Sequence, residues 1–176
     1  MNGPEGPGPA RRVVIGIGNP YRGDDGAGPE AARRVRAGTP ASVEVVEHDG
    51  EPAGLLDLWD NAEIAIVVDA VRSDGVRSDG VRSDGVRSDG RDPRLRFHRL
   101  ELDADAGDSP VPSAVSSHGV GPGDAVELAR VLGRLPRRLV LYGIEGVNFE
   151  PGLGLSPEVE AATSVVADRI VKEVSG

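Results

Sequence analysis

Short apolar runs alternate with stretches of helical periodicity along most of this chain. Residues 13–17 and 64–68 are almost continuously apolar, which is typical of strands buried on both faces of a parallel sheet. Further strands are predicted at residues 42–48, 94–101 and 139–142, where apolar positions form short runs or alternate with polar ones.

Four other segments place their apolar residues on one helical face. A helix is predicted over residues 29–38, because its proline is tolerated only in a first turn. Two more are predicted over residues 52–59 and 122–132, and a last one opens at Pro157 behind Ser156, a favourable N-cap. Strands that alternate with helices predict an α/β fold, a layered domain with a largely parallel sheet.

The composition restricts the function classes. The chain has 176 residues, enough for one domain with a buried core, and residues 12–176 are assigned to it. Lys and Arg number 20 against 29 Asp and Glu, and the net charge of −9 argues against a nucleic-acid or an anionic-membrane surface. Because the chain has no cysteine, disulfides, thiolate metal sites and thiol nucleophiles are excluded.

The N-terminus and the hydropathy predict a soluble, cytoplasmic protein. Residues 1–11 are rich in Gly and Pro and are expected to form a disordered tail, without the apolar core of a signal peptide. No apolar run approaches the roughly 18 residues needed to span a bilayer.

Residues 71–90 repeat the unit VRSDG four times. Each unit has one apolar side chain and balanced charges, so the segment cannot bury enough surface to offset the entropy of ordering it. A surface loop is therefore the preferred interpretation. Two alternatives remain: a calcium-binding repeat, because Asp-Gly recurs at a fixed period, and a loop that recognises a partner.

The stretch GIGNPYRGDDGAG, at residues 16–28, follows the first predicted strand. It begins like the dinucleotide fingerprint G-x-G-x-x-G, but Tyr21 stands where the third glycine belongs. A pyrophosphate at the following helix would also be repelled by Asp24 and Asp25. A strand that ends in glycines and carboxylates instead favours a site for a cation or a polar ligand.

Three residues are candidate metal ligands and catalytic groups. Asp25 follows the first strand, Asp69 ends the third, and His118 precedes the helix at residues 122–132. Two carboxylates and one imidazole suit a borderline divalent metal such as nickel or zinc, with positions left open for water or substrate. Equally, the two aspartates could cap a helix and a turn, and the histidine could be an ordinary loop residue.

Four other polar residues receive weaker interpretations. His48 and His98 are expected on exposed strand faces, so that replacing either one would leave activity nearly intact. Glu145 follows a strand and could approach the same crevice only as a supporting residue. Asp49 supports either a ligand or a turn.

The chain resembles the hydrogenase maturation protease family, the endopeptidases that process the large-subunit precursor of nickel–iron hydrogenases. Three motifs carry the resemblance: GIGNPYRGDDGAG at residues 16–28, VVDAV at 67–71 and SSHGVG at 116–121. The closing GIEG…GLSPEVE, at residues 143–160, is also similar to that family. The VRSDG array is the main departure, and it bears on substrate access and specificity.

This resemblance implies a three-layer α/β sandwich with a central sheet of about five strands. It also implies a monomeric, cytoplasmic, aspartyl-type endopeptidase that removes a short C-terminal peptide from the large subunit after nickel insertion. The metal-contacting positions of the family fall on Asp25, Asp69 and His118. The nickel is then expected to arrive with the substrate and to act as its recognition feature.

Two further function classes remain open at this stage. One is a metallohydrolase with a resident divalent ion. The other is a non-catalytic chaperone that senses the metal loading of a partner.

Overall fold

The computed structural model describes residues 10–72, 96–103 and 121–176. Five strands of these residues form one sheet: β1 (Arg12–Ile17), β2 (Val43–His48), β3 (Ile64–Arg72), β4 (Phe97–Asp103) and β5 (Arg138–Gly146). The spatial order is β2-β1-β3-β5-β4, in which only β4 is antiparallel to its neighbour. The predicted α/β class with a largely parallel sheet is confirmed.

Within the described ranges, four helices cover the two faces of this sheet: α1 (Ala27–Gly38), α2 (Pro52–Trp59), α3 (Pro122–Leu132) and α4 (Pro157–Ser175). Successive side chains of β1 point to opposite faces of the sheet. Val14 packs in the core beneath α1 and α4, whereas Val13 and Ile15 pack in the core beneath α2 and α3. The domain therefore has the three layers that the family resemblance implied. Within the described residues, no helix is long and apolar enough to cross a membrane.

Strand β3 is longer than the sequence predicted. It does not stop before Asp69 but continues to Arg72, because β5 runs alongside it and pairs with it as far as Gly146. Asp69 therefore lies inside the strand, one residue beyond the last pairing of β3 with β1. Val71 and Arg72, the first two residues of the VRSDG repeat, belong to the strand and not to a loop, while residues 73–90 lie outside the described residues.

The start of α1 is packed tightly against the end of β1 and against Val68 of β3. A 3₁₀ turn, Gly23–Gly26, leads into this helix, which begins two residues before the predicted start at Pro29. A Cβ atom on Gly28 would lie 2.1 Å from the Ile17 carbonyl oxygen and 2.6 Å from that of Val68. Only glycine allows this approach, which brings the first turn of α1 against the end of β1 and against Val68 of β3.

Arg11, the last residue of the predicted tail, is bound to the domain. Its guanidinium donates to the Glu44 carboxylate at 2.9 Å and to the carbonyl oxygens of Leu58 and Asp60. Residues 1–9 of the predicted tail lie outside the described residues.

Candidate active site

Strands β1 and β3 lie side by side in the middle of the sheet, and the helices that follow β1 and β2 cover opposite faces of it. The carboxyl ends of such a strand pair form the crevice in which open α/β sheets bind ligands. Asp25, in the turn after β1, and Asp69, on β3, both lie at this edge. The parallel pairing of the two strands thus places two of the three predicted ligands at the same crevice.

The carboxylate of Asp25 is fixed by the loop that precedes it. Its Oδ2 accepts a hydrogen bond from the backbone N–H of Asn19 at 3.0 Å. The side chain is partly exposed and does not cap α1, whose N-cap is Gly26 and has no side-chain hydrogen bond. The interpretation of Asp25 as a helix cap is therefore wrong, and its carboxylate can still accept further contacts.

Asp69 is the more strongly perturbed of the two carboxylates. Burial raises the pKa of Asp69 to about 7, and although a hydrogen bond from the Ala70 backbone opposes the shift, the negative charge of Asp25 adds to it. The two acids are thus close enough to repel each other. A cation bound beside both would favour their ionised forms and relieve this repulsion.

Asp24, the other acid of the GDD pair, is completely buried and structural. Its carboxylate accepts hydrogen bonds from the backbone N–H groups of Val147, Asn148 and Ser156 and from the Ser156 hydroxyl. Burial raises its pKa, but these hydrogen bonds outweigh burial and hold the pKa below its ordinary value. The adjacent acids therefore have different roles, and the sequence contains no local signal that tells them apart.

The loop after β5 is attached to the loop after β1 at several points. Gly23 donates its backbone N–H to the Gly152 carbonyl oxygen at 2.9 Å, and Gly152 donates to Tyr21 at 2.9 Å. Ser156 occupies the N-cap position of α4 as predicted, but its hydroxyl binds Asp24 and makes no cap hydrogen bond. These contacts hold the loop that carries Asp25 against the loop after β5.

The third predicted ligand, His118, lies outside the described residues. In the part of the chain that the structure describes, no group of three His, Asp or Glu side chains could hold a metal ion. The described residues thus bring together two of the three predicted ligands, Asp25 and Asp69, and their role as metal ligands stays a prediction.

The expectation that His48 and His98 are exposed is wrong. The His48 side chain is 20% exposed, because α2 begins against it: a Cβ on Gly54 would lie 2.6 Å from its Nε2. Its Nδ1 accepts a hydrogen bond from Gly50 at 3.0 Å. The His98 side chain is 27% exposed, and its Nε2 lies 2.7 Å from Oε1 of Glu145.

Glu145 and Asp49 occupy different environments. Glu145 lies on β5 at the same edge of the sheet, with a side chain only 11% exposed, and its second carboxylate oxygen lies 3.6 Å from Arg96. Asp49 is 85% exposed and accepts a hydrogen bond from the Glu51 backbone at 3.1 Å. Asp49 therefore supports a turn, while Glu145 pairs with His98, a contact that the sequence did not predict.

Sequence comparison finds related proteins over almost the whole chain, although no family model matches it. A hydrogenase 2 maturation protease of Escherichia coli (strain K12) is 27% identical over 169 residues, which cover 92% of this chain and 88% of that protein.

Comparison of structures finds the same group of proteins. A crystal structure of a hydrogenase 2 maturation peptidase from a Thaumarchaeota archaeon has a TM-score of 0.61 and 27% identity, and the match covers 93% of this chain and 97% of that one. The hydrogenase maturating endopeptidase HybD from E. coli has the same fold, with a TM-score of 0.66 and 22% identity over 94% of this chain and 92% of its own.

Proposed function

Because the chain is a member of the hydrogenase maturation protease family, we propose that it removes the C-terminal extension of a nickel–iron hydrogenase large-subunit precursor after nickel insertion. The motifs at residues 16–28 and 67–71 predicted this family, and sequence and fold comparisons agree with the prediction over nearly the full chain. The protein is accordingly a peptidase.

One observation carries the proposed substrate recognition: Asp25, in the turn after β1, and Asp69, one residue beyond the last pairing of β3 with β1, lie at one edge of the sheet and repel each other. Ionisation of both carboxylates costs free energy when no cation is near, and a bound cation stabilises the two negative charges. A nickel ion that belongs to the substrate supplies this cation, with His118 as the third contact. These three residues are then both the nickel contacts and the catalytic residues of the protein.

Nickel recognition makes cleavage conditional on metal loading. A precursor without nickel offers no cation to the two carboxylates, so its affinity is lower than that of the loaded precursor. This difference in affinity is what a maturation protease needs in order to process only finished substrate. The protein acts as a cytoplasmic monomer in this proposal, and its metal is cargo of the substrate and not a resident cofactor.

The test is an in vitro processing assay with nickel-loaded and nickel-free large-subunit precursor, read as a mobility shift on a denaturing gel. Wild-type protein should shorten only the loaded precursor. Asp69→Asn and His118→Ala should abolish processing while circular dichroism shows a folded protein, and His48→Ala should process normally.

Three results would contradict this proposal. A folded Asp69→Asn variant that processes normally would rule out recognition through nickel. Binding of the loaded precursor without any change in its length would identify a chaperone. A tightly held stoichiometric ion in the purified protein would identify a resident metal.

A further inference from the structure

His98 and Asp69 lie in one row across three strands. Asp69 of β3 pairs with Gly143 of β5, and Gly143 pairs with His98 of β4. Neighbouring strands are about 4.8 Å apart, so the backbones of Asp69 and His98 are separated by roughly 10 Å. Both residues line one cavity on the face of the sheet that α3 covers.

Gly143 leaves the space between these two side chains open. A Cβ atom at this position would lie 3.2 Å from Cγ1 of Val71, tighter than ordinary contact. The resulting cavity has a volume of about 40 Å³, and its walls include Val67, Val71, Leu100 and Leu141. By volume it accommodates roughly three or four heavy atoms, the size of a small aliphatic side chain.

Glu145 determines which nitrogen of the neutral His98 ring carries the proton. The Glu145 carboxylate can only accept, so the Nε2 atom at 2.7 Å carries the proton that it donates to Oε1. In the neutral ring, Nδ1 is then a hydrogen-bond acceptor. Arg96, 3.6 Å from the other oxygen of Glu145, holds the carboxylate in place.

We propose that His98 binds the substrate peptide beside Asp69: its Nδ1 accepts a hydrogen bond from a backbone N–H of the peptide. A small aliphatic side chain of the same peptide enters the adjoining cavity. Glu145 is the positioning residue that fixes the ring. This inference rests on the proposed function and assigns the peptide-binding residue of the same crevice. Asp25 and Asp69 contact the substrate's metal, and His98 contacts the peptide that is cleaved.

The experiment measures initial rates of processing over a range of concentrations of nickel-loaded precursor. His98→Phe keeps a ring of similar size but removes both nitrogens, and His98→Ala is the second variant should the larger ring disturb folding. Loss of one hydrogen bond to substrate should raise KM by about tenfold, with kcat within about threefold of wild type.

The positioning role of Glu145 has its own pair of variants. Glu145→Gln still accepts the hydrogen bond from Nε2 and should retain a KM within about twofold of wild type, whereas Glu145→Ala releases the ring and should raise KM about as much as the His98 variants. His48→Ala, at the other described half-buried histidine, is the matched control and should have the wild-type KM.

A wild-type KM in folded His98→Phe or His98→Ala would overturn the inference, as would a loss confined to kcat. A wild-type KM in Glu145→Ala would overturn the positioning role. If the wild-type protein cleaves the loaded precursor and the His98 variants match it, only this inference fails. If the wild-type protein does not cleave, the proposed function fails with it.

Discussion

Ser156 donates two hydrogen bonds to Asp24, from its backbone N–H to Oδ1 at 2.6 Å and from its hydroxyl to Oδ2 at 2.9 Å, although 132 positions separate the two residues. This contact joins the loops that follow β1 and β5, one at the centre of the sheet and one beside the edge strand. Both carboxylate oxygens of Asp24 accept hydrogen bonds within the domain, so Asp25 is the acid of the pair that is available to a ligand in the crevice.

Asp24→Asn should destabilise the protein by about 2–4 kcal/mol, because the amide group presents N–H donors to partners that are themselves donors in a buried site. Since the native hydrogen bonds lower the pKa of Asp24, its contribution to stability is present above the ordinary value of 3.8 and is lost as the pH falls through the lower folded value. Denaturant unfolding at pH 7 measures the effect. Asp25 accepts one backbone hydrogen bond from the residues that the structure describes, so Asp25→Asn should cost less than about 1 kcal/mol. An equal loss in both variants would contradict the different roles of the two acids.

Asp69→Asn should stabilise the protein at pH 8. The folded pKa of about 7 lies above the ordinary value of 3.8, so the ionised carboxylate destabilises the fold increasingly as the pH rises between these values. Replacement by the neutral amide should raise the free energy of unfolding by about 1–3 kcal/mol at pH 8 and by less than about 0.5 kcal/mol at pH 4.

The measurement is denaturant unfolding of this variant at both pH values. Asp49→Asn is the matched control, because Asp49 is 85% exposed and an asparagine can support the same turn. A gain for Asp69→Asn that is the same at pH 4 and pH 8 would show that ionisation of Asp69 is not its cause.

Gly28→Ala should cost more than about 3 kcal/mol or prevent folding, because the new Cβ would lie 2.1 Å from the Ile17 carbonyl oxygen and α1 would have to move off the strand ends. Gly133→Ala is the control for backbone strain without a steric clash. A Cβ at Gly133 would meet nothing within 4 Å, but the φ of +65° strains an alanine by about 1 kcal/mol. Thermal unfolding compares the two, and a smaller loss at Gly28 than at Gly133 would contradict the tight packing described above.

Deletion of one or two VRSDG units within residues 73–90 should change the free energy of unfolding by less than about 1 kcal/mol, because the cost of loop closure depends only weakly on loop length. Thermal unfolding of the shortened and full-length proteins tests this prediction. A loss of several kcal/mol would mean that the repeat is packed against the domain, and the surface-loop interpretation would be wrong.

The sequence by itself determined the kinds of element and their layering. Apolar runs such as residues 64–68 and helical spacing such as residues 122–132 report which faces are buried, and burial is a local property of the pattern. The alternation of strands with helices then requires a parallel sheet, whose strand ends share an edge. For this reason Asp25 and Asp69 could be assigned to one crevice before any coordinates.

Only the tertiary structure decided which distant groups meet. The extension of β3 to Arg72 depends on β5 as a partner, and the separate roles of Asp24 and Asp25 depend on a loop more than 120 residues away. The pairing of His98 with Glu145 likewise requires β4 to lie antiparallel beside β5. Such contacts arise from strand order and register, which are set by packing of the whole chain. The hydrophobic pattern of a single strand or loop does not report which distant segment it will contact.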